Sequence, residues 1–121
     1  MEIYTGIDIV ENGRIKKVYE KYRDRFLKKV FTENELNYCF SQKEVIPCLS
    51  ARFACKEAVV KAYFQAFKQI LHFKQIEVLG EKGKPATVLL HLEKEPSKPY
   101  KLNISIAHEK KFSTAIAIIY L

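Results

Sequence analysis

Residues 46–71 read IPCLSARFACKEAVVKAYFQAFKQIL, and this run predicts the longest helix of the chain. Pro47 suits the first helical turn, and neither glycine nor proline interrupts the residues that follow. At about 100 degrees per residue, the large apolar side chains fall in one stripe. The stripe consists of Ile46, Leu49, Phe53, Val60, Phe64 and Phe67. We therefore expect an amphipathic helix that packs on the rest of the fold.

Glu57 lies at the edge of that stripe rather than opposite it. Lys61 is on the same side one turn later, whereas Arg52, about 140 degrees from Glu57, faces elsewhere. A buried carboxylate costs several kcal/mol unless a cation or hydrogen bonds compensate for the lost water. A Glu four residues before a Lys is also an ordinary helix pair, so this feature alone leaves a structural and a functional interpretation open.

A second carboxylate, Asp8, interrupts the apolar opening run of the chain. Residues 3–10 (IYTGIDIV) alternate loosely and predict a strand with three isoleucines on one face. Gly6 suits a place where a ligand or another backbone approaches closely. Two carboxylates in apolar surroundings suggest that Asp8 and Glu57 share a cation, and Mg²⁺ prefers such oxygen ligands. An Asp near a strand end is, however, more often a turn former or an ion-pair partner.

The remaining segments predict further helices and strands. Residues 11–22 have helical spacing, a short basic link follows, and a capping box at Thr32 and Glu35 opens a helix to about Phe40. Alternating apolar residues predict four strands joined by turns. These strands are residues 74–79, 87–92, 102–107 and 113–120. The order indicates an α+β fold in which the long helix packs on a mostly antiparallel five-strand sheet.

Composition narrows the class of protein. The 121 residues fit a single domain spanning 1–121, and the net charge of +7 favours an anionic partner such as nucleic acid, a nucleotide-like cofactor or an acidic protein. Cys39, Cys48 and Cys55 match no C-x-x-C spacing and predict reduced thiols rather than a disulfide framework or a zinc site. With no signal-peptide layout and no long apolar run, we expect a cytoplasmic protein without a membrane anchor.

Two other features are suited to an anionic ligand. His108 follows the end of a predicted strand, where a titratable side chain reaches a ligand readily. Gly83-Lys84-Pro85 combines a closely approachable backbone with a cation. Taken singly, the first is an ordinary loop histidine and the second an ordinary hairpin turn.

Four blocks of this sequence together resemble holo-[acyl-carrier-protein] synthase, the small, single-domain class of 4′-phosphopantetheinyl transferases. They are residues 6–11 (GIDIVE), 52–62 (RFACKEAVVKA), 83–85 (GKP) and 105–109 (SIAHE). The blocks fall in the family's order and spacing across nearly the whole chain. The first two are highly specific in combination, and the third is weak alone.

The resemblance implies the 4′-phosphopantetheinyl transferase fold and a Mg²⁺-dependent enzyme of fatty acid biosynthesis. Such an enzyme moves 4′-phosphopantetheine from coenzyme A to a serine of apo-acyl carrier protein and releases adenosine 3′,5′-bisphosphate. By resemblance, Asp8 and Glu57 hold the metal with the coenzyme A pyrophosphate, and Lys61 contacts phosphate. Ser105 and His108 line the cofactor cleft. Our hypothesis is that Glu57, directly or through a water, takes the proton from the attacking serine.

The resemblance also implies a homotrimer with its sites between protomers. There Arg52 and Gly83-Lys84-Pro85 approach the adenosine end from the neighbouring chain, which fits the calculated direction of Arg52 away from Glu57. Arg14 matches a position that meets the acidic carrier protein, so the positive net charge has the expected sign. Lys17, Lys21 and Arg25 are plausible helpers on charge grounds alone.

The sequence departs from the family pattern after Lys61-Ala62. Leu-Gly-x-Gly is common there, but residues 63–67 (YFQAF) contain no glycine, so we expect the helix to continue. This departure keeps open a homologue that binds coenzyme A without transfer. A basic nucleic-acid-binding module is a second alternative, but Trp is absent and the Phe and Tyr residues recur at core-like spacing rather than in a stacking array. We therefore expect neither a nucleic-acid nor a membrane partner.

Overall fold

The computed structural model describes residues 1–81 and 83–121. Lys82, in the predicted turn at 80–85, lies outside the described residues. The elements follow in the order β1 (Ile3–Glu11), α1 (Asn12–Tyr22), α2 (Asp24–Val30), α3 (Glu33–Phe40), α4 (Val45–Phe67), a 3₁₀ turn (Phe73–Gln75), β2 (Ile76–Leu79), β3 (Thr87–Leu90), β4 (Lys101–His108) and β5 (Phe112–Tyr120). No described helix is long and apolar enough to cross a membrane.

The α+β architecture is confirmed, with all strand pairs antiparallel, but the five strands form two sheets rather than one. One sheet has the order β1-β5-β4, and the other is the hairpin β2-β3. In β2, Ile76 and Val78 point inward as predicted. The segment before β2 coils into the 3₁₀ turn instead of extending the strand from residue 74. The predicted basic link between the first two helices is itself the helix α2.

Helix α4 packs on the inner face of the three-stranded sheet, against β1 and β5. The contact uses small side chains on both sides. On the sheet they are Gly6, Ala115 and Ala117, and on the helix they are Ala54, Ala58 and Ala62. A Cβ atom added to Gly6 would lie 2.0 Å from the carbonyl oxygen of Ala58, so only glycine permits this approach. The backbone that Gly6 was predicted to accommodate is therefore that of α4.

The buried side of α4 differs from the apolar stripe predicted for it. Ala58 is fully buried, whereas Phe64 is 43% exposed, and Phe53 and Val60 are only partly buried. The close approach to the sheet admits small side chains at the contact, so Phe53, Val60 and Phe64 lie at its flank. Leu49 of the predicted stripe is nevertheless fully buried. Glu57 therefore lies on the less covered side of the helix, among partly exposed apolar residues.

The end of α4 agrees with the expectation from the missing glycines. The helix continues past Lys61 to Phe67 and stops at Lys68, which adopts a left-handed conformation with φ of 56°. Its amide donates to the carbonyl of Phe64 at 2.8 Å and closes the helix. The helix is thus four residues shorter than the predicted end at Leu71.

The prediction that all three cysteines are free is wrong for two of them. Cys39, near the end of α3, forms a disulfide with Cys48 in the first turn of α4, with 5.4 Å between their Cα atoms. The short connection between the two helices brings these residues together, and their nine-residue separation carries no such signal in sequence. Cys55 is free, and burial raises its pKa to about 12.

Candidate active site

Asp8 lies beside the long helix because of the Gly6 contact. Alternation along β1 places both residues on the face of the sheet that α4 covers, opposite Ala117 and Ala115 of β5. The hydroxyl of Thr114 donates to the carbonyl oxygen of Asp8 at 2.7 Å and fixes the strand there. The packing that closes the core therefore also sets the position of the Asp8 carboxylate.

Lys61 joins β1 to α4 at this point. Its Nζ donates to Asp8 Oδ1 at 3.2 Å and to the carbonyl oxygen of Ile7 at 2.9 Å. The side chains of Lys61 and Asp8 are 49% and 18% exposed, so the pair is open to solvent. Residues 53 positions apart thus meet in one polar cluster at the edge of the sheet.

Glu57 completes this cluster one helical turn before Lys61. Partial burial raises the pKa of Glu57, the negative charge of Asp8 raises it further, and the charge of Lys61 opposes both effects. Glu57 is on the same side of α4 as Lys61, whose Nζ donates to Asp8 at 3.2 Å, so the two carboxylates face the same edge of the sheet. Asp8, Glu57 and Lys61, predicted as one site, are thus close together within a single chain.

The donor set suits a Mg²⁺ ion that is also held by substrate. Among the described residues there is no group of three or more His, Cys, Asp or Glu side chains that would enclose a metal ion. Mg²⁺ commonly takes one or two protein carboxylates and completes its octahedron with water and substrate phosphates. Asp8 and Glu57 provide two hard oxygen donors on an open surface, and a bound cation would relieve the repulsion between their charges.

A separate open cleft of about 840 Å³ contains most of the other predicted site residues. Those that line it are Arg52, Gly83, Lys84, Pro85, Ser105 and His108. Arg52 is buried on α4, Ser105 and His108 lie on β4, and the remaining three follow the two-stranded hairpin's first strand. Asp8, Glu57 and Lys61 do not line this cleft. Within one chain the predicted residues therefore divide into a carboxylate cluster and a basic cleft.

The turn residues of the cleft have the conformation their types allow. Gly83 has φ of 84°, in the left-handed region that favours glycine, and the amide of Lys84 donates to the carbonyl of Glu81 at 3.0 Å. The Lys84 side chain is exposed and pairs with Glu81 at 3.1 Å. A solvent-exposed pair of this kind exchanges readily for another anion.

Sequence reasoning missed two cleft residues that contact Arg52. Tyr38 presents its ring to the guanidinium, with 4.5 Å between the ring centroid and Arg52 Cζ. Cys48 accepts a hydrogen bond on its sulfur from Arg52 Nη1 at 3.4 Å. The spacing of Cys48 one turn before Arg52 was visible in the sequence, but the position of Tyr38 depends on how α3 packs on α4.

Arg14 is exposed on α1 and belongs neither to the lining of the cleft nor to the Asp8–Lys61 ion pair. The surrounding surface of α1 and α2 is rich in exposed cations. These are Lys16, Lys17, Lys21, Arg23, Arg25, Lys28 and Lys29. The helices thus form a basic surface, as the charge of the first two predicted segments indicated.

Comparisons with known proteins give one family. Residues 4–117 match the family model of the 4′-phosphopantetheinyl transferase superfamily. A holo-[acyl-carrier-protein] synthase of Aquifex aeolicus is 46% identical over 116 residues, which cover 94% of this chain and 95% of that protein. One from Chlamydia trachomatis is 42% identical over 114 residues, covering 94% of this chain and 96% of the relative.

Solved structures show the same fold. A holo-(acyl-carrier-protein) synthase from Bacillus anthracis, in complex with CoA (3′,5′-ADP), aligns with a TM-score of 0.73 at 29% identity and covers 96% of this chain and 94% of that one. The Chronobacterium ammoniagenes ACPS–CoA complex aligns with a TM-score of 0.85 at 23% identity, covering 98% and 97% of the two chains. The second likeness concerns the fold alone.

Proposed function

Because this chain belongs to the 4′-phosphopantetheinyl transferase superfamily, among the holo-[acyl-carrier-protein] synthases, we propose that it transfers 4′-phosphopantetheine from coenzyme A to a serine of apo-acyl carrier protein. The products are holo-carrier protein for fatty acid biosynthesis and adenosine 3′,5′-bisphosphate. The observation that carries the proposal is the convergence of Asp8, Glu57 and Lys61 from two distant segments. Transfer of a phosphoryl group depends on positioning and charge neutralisation, which this cluster is suited to provide.

Asp8 and Glu57 would hold Mg²⁺ together with the pyrophosphate of coenzyme A. When bound there, the ion neutralises charge on the pyrophosphate and on the departing bisphosphate. Lys61, already held by Asp8 and by the Ile7 carbonyl, contributes a further positive charge next to the phosphates. Glu57, directly or through a water, would take the proton of the incoming serine hydroxyl.

The basic cleft would bind the adenosine end of coenzyme A, with Arg52, Lys84 and His108 facing its phosphate. Gly83 and Pro85 allow the nucleotide to approach the backbone, and Ser105 offers a hydroxyl on β4. Since this cleft and the carboxylate cluster are separate within one chain, we propose that a complete site joins the cleft of one protomer to the cluster of its neighbour.

The outer face of the three-stranded sheet supports a homotrimer built in this way. Ile3, Ile7 and Ile9 of β1 are 60%, 64% and 67% exposed, and Phe112 of β5 extends the patch. An apolar area of this kind on a small domain marks an interaction surface. Ser105 lies on the same face, opposite Ile116 of β5, so a neighbouring protomer packed on this face would contact the cleft.

A mixing experiment tests the shared site. At limiting coenzyme A, we expect Glu57→Gln and Arg52→Ala chains each to have little activity alone. Refolding them together in equal amounts should restore about a quarter of the sites if each site uses both chains. No recovered activity in assembled mixtures would contradict a shared site. Ile7→Glu, which places a charge in the apolar face, is expected to give a monomer in sedimentation analysis.

The basic surface of α1 and α2, including Arg14, would dock the acidic carrier protein. Complementary charge of this kind mainly speeds association and weakens with salt. Arg14→Glu should therefore raise the KM for the carrier and leave that for coenzyme A unchanged. A cytoplasmic location is consistent with such a partner.

The direct test of the proposal is to mix the protein with coenzyme A, Mg²⁺ and an apo-carrier protein and to weigh the carrier by mass spectrometry. We expect the added mass of one phosphopantetheine group, and none when EDTA replaces Mg²⁺. An unmodified carrier, where a known transferase modifies the same preparation, would refute the proposed activity.

A further inference from the structure

Arg52 is a buried cation without an acidic partner. Arg52 is only 8% exposed. No carboxylate among the described residues lies within ion-pair distance of its guanidinium. Its Nε is buried without a hydrogen-bond partner in the described part of the chain. Burial lowers the pKa of Arg52, and the charge of Glu35, which is paired with Lys56 and lies beyond ion-pair distance of Arg52, opposes this effect. Arg52 lines the cleft, and a guanidinium there without a paired carboxylate is suited to an anion.

Two groups instead of a carboxylate hold the guanidinium in place. The ring of Tyr38 lies 4.5 Å from Cζ, and the sulfur of Cys48 accepts from Nη1 at 3.4 Å. Neither neutralises the positive charge, whereas an aspartate or glutamate in their place would compete with a ligand. The arrangement thus fixes the direction of Arg52 and keeps its charge available.

The disulfide links the two holding groups. Cys39 follows Tyr38 directly on α3, and its partner Cys48 precedes Arg52 by one turn of α4. One covalent bond therefore ties the helix that carries the ring to the helix that carries the guanidinium. Ordering a flexible side chain before binding reduces the entropy lost when the ligand arrives.

The other charged residues of the cleft are exposed and do not pair with Arg52. Lys43 and Lys84 add positive charge, whereas Glu44 and Glu81 add negative charge. Glu81 is paired with Lys84 at 3.1 Å on the exposed turn. Arg52 is thus the buried cation of a cleft whose remaining charges are on its rim.

We propose that Tyr38 and the Cys39–Cys48 disulfide are positioning elements that hold Arg52 ready for a phosphate group of the nucleotide in the cleft. The inference rests on the proposed function for the identity of the nucleotide. Its probe, adenosine 3′,5′-bisphosphate, binds without a carrier protein and without transfer, so the two proposals fail separately.

The test compares Tyr38→Leu, which removes the aromatic face, with Tyr38→Phe, which keeps it. Calorimetry with adenosine 3′,5′-bisphosphate should show a Kd about tenfold higher for Tyr38→Leu and within about twofold of the wild type for Tyr38→Phe. In the transfer assay, the same change should be seen in the KM for coenzyme A, with kcat nearly unchanged. A role in folding alone would lower the melting temperature without this division between KM and kcat.

Three outcomes decide the matter. If wild-type protein binds the bisphosphate and Tyr38→Leu binds it equally well, the positioning role is refuted. If Tyr38→Phe loses as much affinity as Tyr38→Leu, the aromatic face is not what holds Arg52. If Tyr38→Leu does not fold, Cys39→Ala replaces it, and a Kd equal to that of the wild type overturns the proposal.

Discussion

Lys56 and Lys61 lie five residues apart on α4, and each meets a carboxylate from a distant segment, yet their surroundings are opposite. The side chains of Lys56 and its partner Glu35 are fully buried with 2.8 Å between them. Lys56 also donates to the carbonyls of Phe73 and Ile76, and burial lowers its pKa while Glu35 opposes that effect. Lys61 and Asp8 are 3.2 Å apart and accessible to solvent.

The two pairs differ in how many carboxylate oxygens remain free to bind a ligand. Glu35 accepts hydrogen bonds from the amides of Thr32 and Val78 as well as from Lys56, so its oxygens are saturated. Asp8 and Glu57 retain oxygens that no described protein donor occupies beyond Lys61. A saturated ion pair fixes the packing of α3, α4 and β2, whereas an unsaturated one is able to bind a ligand.

Glu57→Gln tests the open cluster, which consists of Asp8, Glu57 and Lys61, and should have the largest effect on transfer. Loss of a general base typically lowers rates by about 10²–10⁴-fold, and loss of a metal ligand adds to this. We expect transfer, measured by mass spectrometry of the carrier, to fall at least that far without any decrease in melting temperature. Glu93→Gln, on an exposed segment, is the matched control and should remain active; equal activity of both variants would contradict the assignment.

Glu35→Gln tests the closed cluster, which consists of the buried pair Glu35 and Lys56, and should lower the free energy of unfolding instead. Removing one partner of a buried ion pair leaves the other charge uncompensated and costs about 3–5 kcal/mol. Urea unfolding should reveal this loss, and the folded fraction should keep its kcat. Lower kcat in fully folded protein would show that the buried pair also serves catalysis.

Gly6→Ala tests the contact on which the open cluster depends. The new Cβ would lie 2.0 Å from Ala58 O, on a backbone that yields little, so overpacking of about 1–3 kcal/mol is expected. Transfer should fall as well, because the strand carrying Asp8 must move away from α4. Gly13→Ala, with nothing within 4 Å of the added atom, is the control; it should not destabilise the helix α1 and should leave transfer unchanged.

The smallest expected effect is on the pH dependence of folding stability, and the contributions of the two clusters should have opposite signs. Glu77 lies next to the buried pair, because Thr32 donates to Glu35 through its amide and to Glu77 through its hydroxyl. The hydrogen bond from Thr32 lowers the pKa of Glu77 in the folded protein, so its contribution to stability is present above the unfolded pKa and lost as pH falls. Burial raises the pKa of Glu57, so its contribution favours the fold at low pH and is lost as pH rises through the folded value.

Urea unfolding in EDTA between about pH 3 and 7 measures both contributions. Relative to wild type, Glu77→Gln should lose stability mainly at the upper end of this range. Glu57→Gln should gain stability there. Changes of the same sign in the two variants would refute the contrast between the clusters.

Much of the fold follows from local pattern. The capping box at Thr32 and Glu35 starts α3 as predicted, because two side chains satisfy two amides within one turn. Asp8, Glu57 and Lys61 were identified from their residue types and the blocks around them. The disulfide, the second sheet and the ring of Tyr38 on Arg52 were not, because each depends on distances between segments that no local periodicity encodes.

Apart from α2 and the 3₁₀ turn, the sequence by itself determined which segments are helical or extended, the positive charge of the first segments, and the residue types available for phosphate chemistry. These follow from side-chain propensity, spacing and charge, which are properties of neighbouring residues. Only the tertiary structure decided which lysine is buried and which is open, because the approach of α4 to Gly6 selects the covered face. The same approach places Asp8 beside Glu57 and separates their cluster from the cleft of Arg52.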